Sequence, residues 1–158
     1  MKTKEELTKE DHMEKAKPKM IVRKRDIKLV PARTGGRRLE VVSPRLGFPV
    51  RTMLSFYREL PPGGQSGTHR HRNEAIIYIV KGSGYTVVED ERVDWEEGDI
   101  LCIPVMSWHT NVNLDPNEPA LYLATINRPL MEAMDLFYIE DKEKIDYDYE
   151  VGKTIITK

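Results

Sequence analysis

The sequence predicts an all-β protein, an antiparallel sandwich or barrel, on three observations. Apolar residues gather in many short runs of strand length, turn residues separate those runs at even spacing, and no strand–helix–strand alternation is present. With 158 residues, 39% hydrophobic and 32% charged, the chain has the size of one domain and enough apolar material for one core. No run approaches the roughly 18 apolar residues of a membrane helix. The opening MKTKEELTKEDHMEKAKPK lacks the apolar segment of a secretory signal. Lys plus Arg number 25 and Asp plus Glu 26, a net charge of −1, which argues against a nucleic-acid partner. The single cysteine, Cys102, excludes an internal disulfide and a cysteine-cluster metal site, and fits a cytoplasmic protein.

The elements follow in chain order. Residues 1–19 are rich in Lys and Glu and read as a charged, solvated arm with His12 exposed in it; a short helix packed on a partner subunit is the alternative. Ala16-Lys17-Pro18 ends any helix there. Residues 20–127 carry the strands. Met20–Val22 and Ile27–Val30 come first, broken by Pro31 and Gly35-Gly36, and Leu39–Val42 follows. Val50–Leu60 is a longer strand, stopped by Pro61-Pro62-Gly63-Gly64. Thr68–Val80, Gly84–Glu89, Ile100–Pro104, Trp108–Asn113 and Leu121–Asn127 complete the set, with turn residues between them, Glu89-Asp90-Glu91 included. Residues 128–158 form a helix and tail. Pro129–Phe137 has apolar residues at 130, 131, 134, 136 and 137, which suits a short amphipathic helix with Pro in its first turn. In the charged tail, Tyr147, Tyr149, Val151, Ile155 and Ile156 suit an edge strand.

Three of the four histidines fall in the strand-rich centre. His69 and His71 are two apart, so on a strand both imidazoles face one side, and His109 on a later strand offers a third. The pattern points to a metal site; three ordinary half-buried histidines are the plainer alternative. Strand parity puts Glu74 with Arg70 and Arg72 on the opposite face, so Glu74 is a further ligand candidate only if a bulge shifts the register. Asn111 and Asn113 share the face of His109 and are candidate donors to a bound molecule, or polar residues ending a strand. Gln65, in the loop entering the H-x-H strand, is a candidate to reach the pocket, with a solvated loop position as the alternative. Tyr57 and Arg58, on opposite faces of Thr52–Glu59, are candidates to hold a carboxylate or phenolate, with a surface ion pair as the other fate of the arginine. Trp108 faces outward and packs. Ile77 and Ile79 fill the interior below the histidines, and Cys102 is expected to be a small buried apolar residue.

Gly63-x5-His69-x-His71, continuing to Gly82, resembles the first motif of the cupins, and Gly98-x5-Pro104-x-Met106-x2-His109-x3-Asn113 resembles the second. The resemblance implies an antiparallel double-stranded β-helix, a jelly-roll barrel with the motifs at its metal-binding mouth. Two positions depart from the pattern. Met106 stands where the motif has Gly, so the turn is expected to differ, and Ala75 stands where the motif has a Glu ligand. The run HRHRNEAIIYIVKGSGYTVVEDERVDWEEGDILCIPVMSWHTNVN is similar to the gentisate 1,2-dioxygenase-like cupins in its HRH opening, missing Glu, EGD turn and Trp-His pair before Asn. That branch implies Fe(II) on three histidines and cleavage of an aromatic ring between oxygenated carbons. Three neutral imidazoles leave up to three positions open on one divalent ion, and the donor set alone also admits Mn, Ni, Cu or Zn. The expected function is therefore a metal-dependent, dioxygenase-type oxidoreductase acting on a small oxygenated substrate, an aromatic one on the resemblance. A non-redox metal cupin (an isomerase or lyase) and a small-ligand-binding cupin without turnover are the alternatives. A homodimer is expected, formed through the apolar half of the face opposite the histidines (Ile76, Tyr78, Val80), unless the chain's own early strands cover it. No helix-turn-helix pattern precedes the strands.

Overall fold

Alternating buried and exposed side chains sort most of the chain into two antiparallel sheets in the computed structural model, which describes residues 3–6, 18–32, 35–148 and 153–157. The first sheet comprises β1 (Val30–Pro31), β2 (Arg37–Val42), β3 (Leu54–Leu60), β5 (Ala75–Lys81), β8 (Ile100–Ile103) and β10 (Ala120–Ile126), in the order β1-β2-β3-β10-β5-β8. The second comprises β4 (His69–His71), β6 (Gly84–Val88), β7 (Glu91–Trp95), β9 (His109–Asn113) and β11 (Ile139–Asp141), in the order β11-β4-β9-β6-β7. β12 (Lys144–Asp148) and β13 (Lys153–Thr157) pair with each other as a separate hairpin. This is the jelly-roll arrangement expected from the sequence. No helix among the described residues is long and apolar enough to cross a membrane.

The two inner faces differ in chemistry. The first sheet contributes Leu54, Ala75, Ile77, Ile79, Ile103, Tyr122, Ala124 and Ile126 to the apolar core, and Trp95 joins them from the second. The inner face of the second sheet is richer in polar residues, with Thr86, His71, His109, Asn111 and Asn113 all buried. Buried polar groups need partners, and Trp95 Nε1 donates to Thr86 Oγ1 at 3.1 Å while that hydroxyl donates to Asn111 Oδ1 at 2.8 Å. Gly84 permits this seating, because a Cβ there would lie 2.0 Å from the Val112 carbonyl oxygen and 2.5 Å from the Trp95 ring.

Several elements depart from the sequence expectation. Thr68–Val80 is two strands, β4 and β5, in different sheets. The corner at Arg72–Glu74 is held by side-chain bonds that periodicity does not reveal: His71 Nδ1 meets the Asn73 carbonyl at 2.9 Å, and Glu74 N donates to Asn127 Oδ1 at 2.9 Å. Alternation nevertheless runs through the corner, with 71, 73, 75, 77 and 79 buried and 72, 74, 76 and 78 exposed. Met20–Val22 forms no strand, Ile27–Val30 shrinks to β1 after a 3-10 turn at Lys24–Asp26, and the Val50 strand begins only at Leu54. β7 was not expected, because four of its five residues are exposed and only Trp95 is buried. Cys102 is exposed rather than buried: it lies on the outer face of the first sheet opposite Ile76, itself 49% exposed, while Leu101 and Ile103 point inward. The C-terminal helix is shorter than expected, Arg128–Ala133, and buries no residue. Most of the arm at 1–19, including His12, lies outside the described residues, as do Tyr149 and Val151.

Candidate metal centre

β4 meets β9 at one register pair, His69↔His109, and His71 lies two residues on along the same face. The three rings converge, with centroids 4.3 Å (His69–His109), 4.9 Å (His71–His109) and 5.6 Å (His69–His71) apart. One ring nitrogen from each lies within 4.8 Å of the other two. The tautomers follow from the partners. His69 Nδ1 faces the Gly67 carbonyl at 2.8 Å, His71 Nδ1 the Asn73 carbonyl at 2.9 Å and His109 Nδ1 the Ser107 carbonyl at 2.9 Å. A carbonyl only accepts, so each Nδ1 carries the proton and each Nε2 presents its lone pair. Backbone carbonyls thus orient all three rings, the role that outer partners play for metal-binding histidines.

Burial keeps these rings neutral. Desolvation is the main cause that lowers His69 to about 4 and His109 to about 3, and it lowers His71 as well; His69 beside His109 adds to the effect there. The sign for stability follows from linkage. Below its ordinary value of 6.5 each histidine takes up a proton in the unfolded chain first, so the metal-free fold loses stability as pH falls from 6.5, until the folded rings protonate near 4 and 3. Urea unfolding of metal-free protein is expected to give a lower midpoint at about pH 5.5 than at about pH 7, and His69→Gln/His109→Gln is expected to flatten that difference. A midpoint independent of pH over this window would contradict neutral, buried rings.

The three histidines line a cavity of about 380 Å³. Opposite them, the register Arg38↔Arg58↔Tyr122 sets three side chains in one row across β2, β3 and β10, and all three line the cavity. Arg38 stacks its guanidinium 3.8 Å from the Phe56 ring centre, and its buried Nε has no hydrogen-bond partner. Arg58 donates to the Gly35 carbonyl. Burial, and then the Arg58 charge, push Arg38 below its ordinary value, while burial raises the Tyr122 phenol and keeps it protonated. Phe56, Ile77, Ile103, Ala124 and Phe137 supply apolar wall. Glu40, also at the cavity, is engaged by Arg45.

Residues 56–126 match the cupin domain family. This segment is a cupin domain. The chain is 33% identical over 106 residues to a 1-hydroxy-2-naphthoate 1,2-dioxygenase of Nocardioides sp. (strain KP7), covering 66% of this chain and 27% of that protein. It is 36% identical over 90 residues to a gentisate 1,2-dioxygenase of Ralstonia sp., covering 56% and 25%. A salicylate 1,2-dioxygenase structure from Pseudaminobacter salicylatoxidans superposes with a TM-score of 0.61 at 27% identity, over 67% of this chain and 31% of that one. A cupin 2 domain-containing protein from Halorhodospira halophila shares the fold over 72% and 70% of the two chains, with a TM-score of 0.54. The chain spans only 27% and 25% of the length of the two curated relatives named here.

Around the cavity, the candidate residues separate clearly. His69, His71, His109, Arg58 and Asn111 all line one cavity, whereas Tyr57, Gln65, Glu74 and Asn113 do not. Tyr57 is half-buried. Gln65 bridges to Val112 in the main chain. Glu74 is exposed, and Asn127 Nδ2 donates to its carboxylate at 2.7 Å. Asn113 braces loops, donating through Nδ2 to the Pro61 and Glu118 carbonyls at 2.9 Å each and accepting from Asp115 N at 3.0 Å. Asn111 has Oδ1 engaged by Thr86, so what it offers the cavity is its Nδ2 donor. Arg38 and Tyr122 escaped the sequence reading; only the register with Arg58 reveals them. Met106, standing where the motif has Gly, adopts a left-handed conformation with φ 63°, and its N–H donates to the His71 carbonyl at 2.9 Å.

Proposed function

We propose that this cupin is a metal-dependent, dioxygenase-type oxidoreductase in which His69, His71 and His109 hold one divalent ion, Fe(II) by preference. The observation that carries the reading is the convergence of three neutral imidazoles whose Nδ1 protons are all committed to backbone carbonyls. Ferrous iron in such a setting supplies the redox chemistry that joins dioxygen to an organic substrate. The three relatives named as 1,2-dioxygenases support the same class.

The chain's own groups then select the substrate. Its candidate ligands are neutral, so a divalent ion keeps its charge, and Arg38 and Arg58 add two more positive charges beside the same cavity. A small oxygenated acid answers that charge, with its carboxylate on the arginine pair. Phe56, Ile77 and Ile103 suit the faces of an aromatic ring. Asn111 Nδ2 and the protonated Tyr122 hydroxyl are donors for further substrate oxygens. A cytoplasmic setting fits the lone thiol. A homodimer fits the outer face of the first sheet, where Ile76, Tyr78 and Ile100 stay 49%, 43% and 67% exposed.

The test is oxygen uptake. Protein reconstituted anaerobically with Fe(II) is mixed with gentisate, salicylate or 1-hydroxy-2-naphthoate in an oxygen electrode cell. One O₂ consumed per substrate lost, with both oxygens in the product and no uptake by the zinc-loaded protein, is the expected result. Turnover without oxygen, or equally fast with zinc, would replace this reading with an isomerase or lyase; tight binding without turnover would make the chain a ligand-binding cupin.

A further inference from the structure

Two of the three histidines sit on a strand with little sheet around it. β4 is three residues long, and its register with β9 is the single pair His69↔His109. On its other side β4 pairs along its whole length with β11, as Ile139↔His71, Glu140↔Arg70 and Asp141↔His69. The ladder extends past both ends, with Arg72 N donating to the Tyr138 carbonyl at 3.1 Å and Lys142 N to the Thr68 carbonyl at 2.9 Å.

Side chains repeat the attachment. Arg70 contacts Glu140 Oε2 through Nε at 2.8 Å and through a terminal nitrogen at 2.6 Å, and the Tyr138 hydroxyl donates to the same oxygen at 3.0 Å. Thr68 Oγ1 donates to Glu143 Oε1 at 2.6 Å. Trp108, the neighbour of His109, has Arg70 and Lys142 each 4.6 Å from its ring centre. The same segment reaches the substrate side, since Phe137 and Ile139 line the cavity.

We infer that β11 is a positioning strand: it holds β4, and with it His69 and His71, in place against His109, so that metal occupancy and docking of the Phe137–Ile139 wall are coupled. The inference rests on the three-histidine metal reading. Arg70 and Glu140 touch neither the metal position nor the substrate; they act through the strand. Coupling of this kind is reciprocal. If the docked strand raises metal affinity by some factor, the metal stabilises docking by the same factor. A half-exposed ion pair contributes little to folding by itself, so its removal separates positioning from general stability.

The experiment titrates metal-free full-length protein with Fe(II) under anaerobic conditions. Glu140→Ala is expected to weaken Fe(II) binding several-fold, less than the roughly 10–100-fold that follows loss of a direct hydrogen-bond partner of a ligand. Lys142→Pro, which deletes the donor to the Thr68 carbonyl, is expected to weaken it at least as much. The charge swap Arg70→Glu/Glu140→Arg is expected to recover most of the loss. Glu118→Ala, which breaks the exposed Lys81–Glu118 pair at 2.9 Å, is expected to leave Fe(II) affinity unchanged. Hydrogen exchange supplies a second readout: Fe(II) is expected to slow amide exchange at 138–142 in the wild type. Wild-type binding with unchanged affinity in both Glu140→Ala and Lys142→Pro, or exchange at 138–142 indifferent to Fe(II), would overturn the positioning role alone. A wild type that takes up no Fe(II) would overturn the metal reading and this inference with it.

Discussion

His109→Ala is expected to empty the metal centre while leaving the fold in place. Apparent binding energies of roughly 10–16 kcal/mol for four-ligand protein sites imply about 3 kcal/mol per ligand, and 3 kcal/mol is on the order of a hundredfold in affinity. A site with only three protein ligands has less to spare, so retention through gel filtration fails. His109 is the informative position because β9 pairs with β6 over five positions, Gly84↔Asn113 to Val88↔His109, and does not depend on the edge strand that supports β4. The apolar core cluster contains none of the three histidines, so far-UV circular dichroism is expected to stay that of the wild type. Elemental analysis beside oxygen uptake checks both halves. Retention of one equivalent of metal by His109→Ala would place the ion elsewhere.

Arg58→Met is expected to raise KM for an anionic substrate by roughly ten- to a hundredfold with a much smaller change in kcat, because a hydrogen bond to a charged group contributes about 1.5–3 kcal/mol. Arg58 is 5% exposed and stands between Arg38 and Tyr122 in one cross-strand row, so water replaces it poorly. Arg38→Met is expected to cost less, since Arg38 also divides its contacts with the Phe56 face. The double variant is expected to cost more than the sum of the two: each single replacement is partly offset because the remaining arginine is relieved of a like charge, and the Arg58 charge already lowers Arg38. A substrate analogue with a carboxamide in place of the carboxylate is the control. It is expected to bind the wild type weakly and to be nearly insensitive to Arg58→Met. Equal losses for acid and amide would show that Arg58 shapes the cavity rather than reading the charge.

The sequence was most informative where one residue's environment follows from its neighbours in the chain. The i, i+2 histidines, the alternation through Ile77 and Ile79, and the outward face of Glu74 all came from strand parity, and the side chains lie as parity requires. It was least informative where position depends on pairing between distant strands. Arg38 and Tyr122 are 84 residues apart in number yet meet Arg58 in one row, and no local pattern reports that. The split of Thr68–Val80 escaped because the buried–exposed alternation runs on through the corner, while Asn73 and Asn127 supply the bonds that turn it. β7 escaped because its outward residues leave only Trp95 to mark it as a strand. The exposure of Cys102 is not legible in the sequence because Ile100 to Ile103 offers apolar residues on both faces of β8, and only pairing with Ile76 shows which face is outward. Asn111 and Asn113 look equivalent in sequence, two apart on one face, but one lines the cavity and the other braces three loop groups.

The three-histidine centre is tested most directly by an anaerobic Fe(II) titration of metal-free wild type at about pH 7, followed by calorimetry in buffers of different ionisation enthalpy. One ion per chain and little proton release from the imidazoles are expected, because His69 and His109 are already neutral with values lowered to about 4 and 3. Failure to bind Fe(II), or one equivalent bound equally well after His69, His71 and His109 are all replaced by alanine, would contradict it.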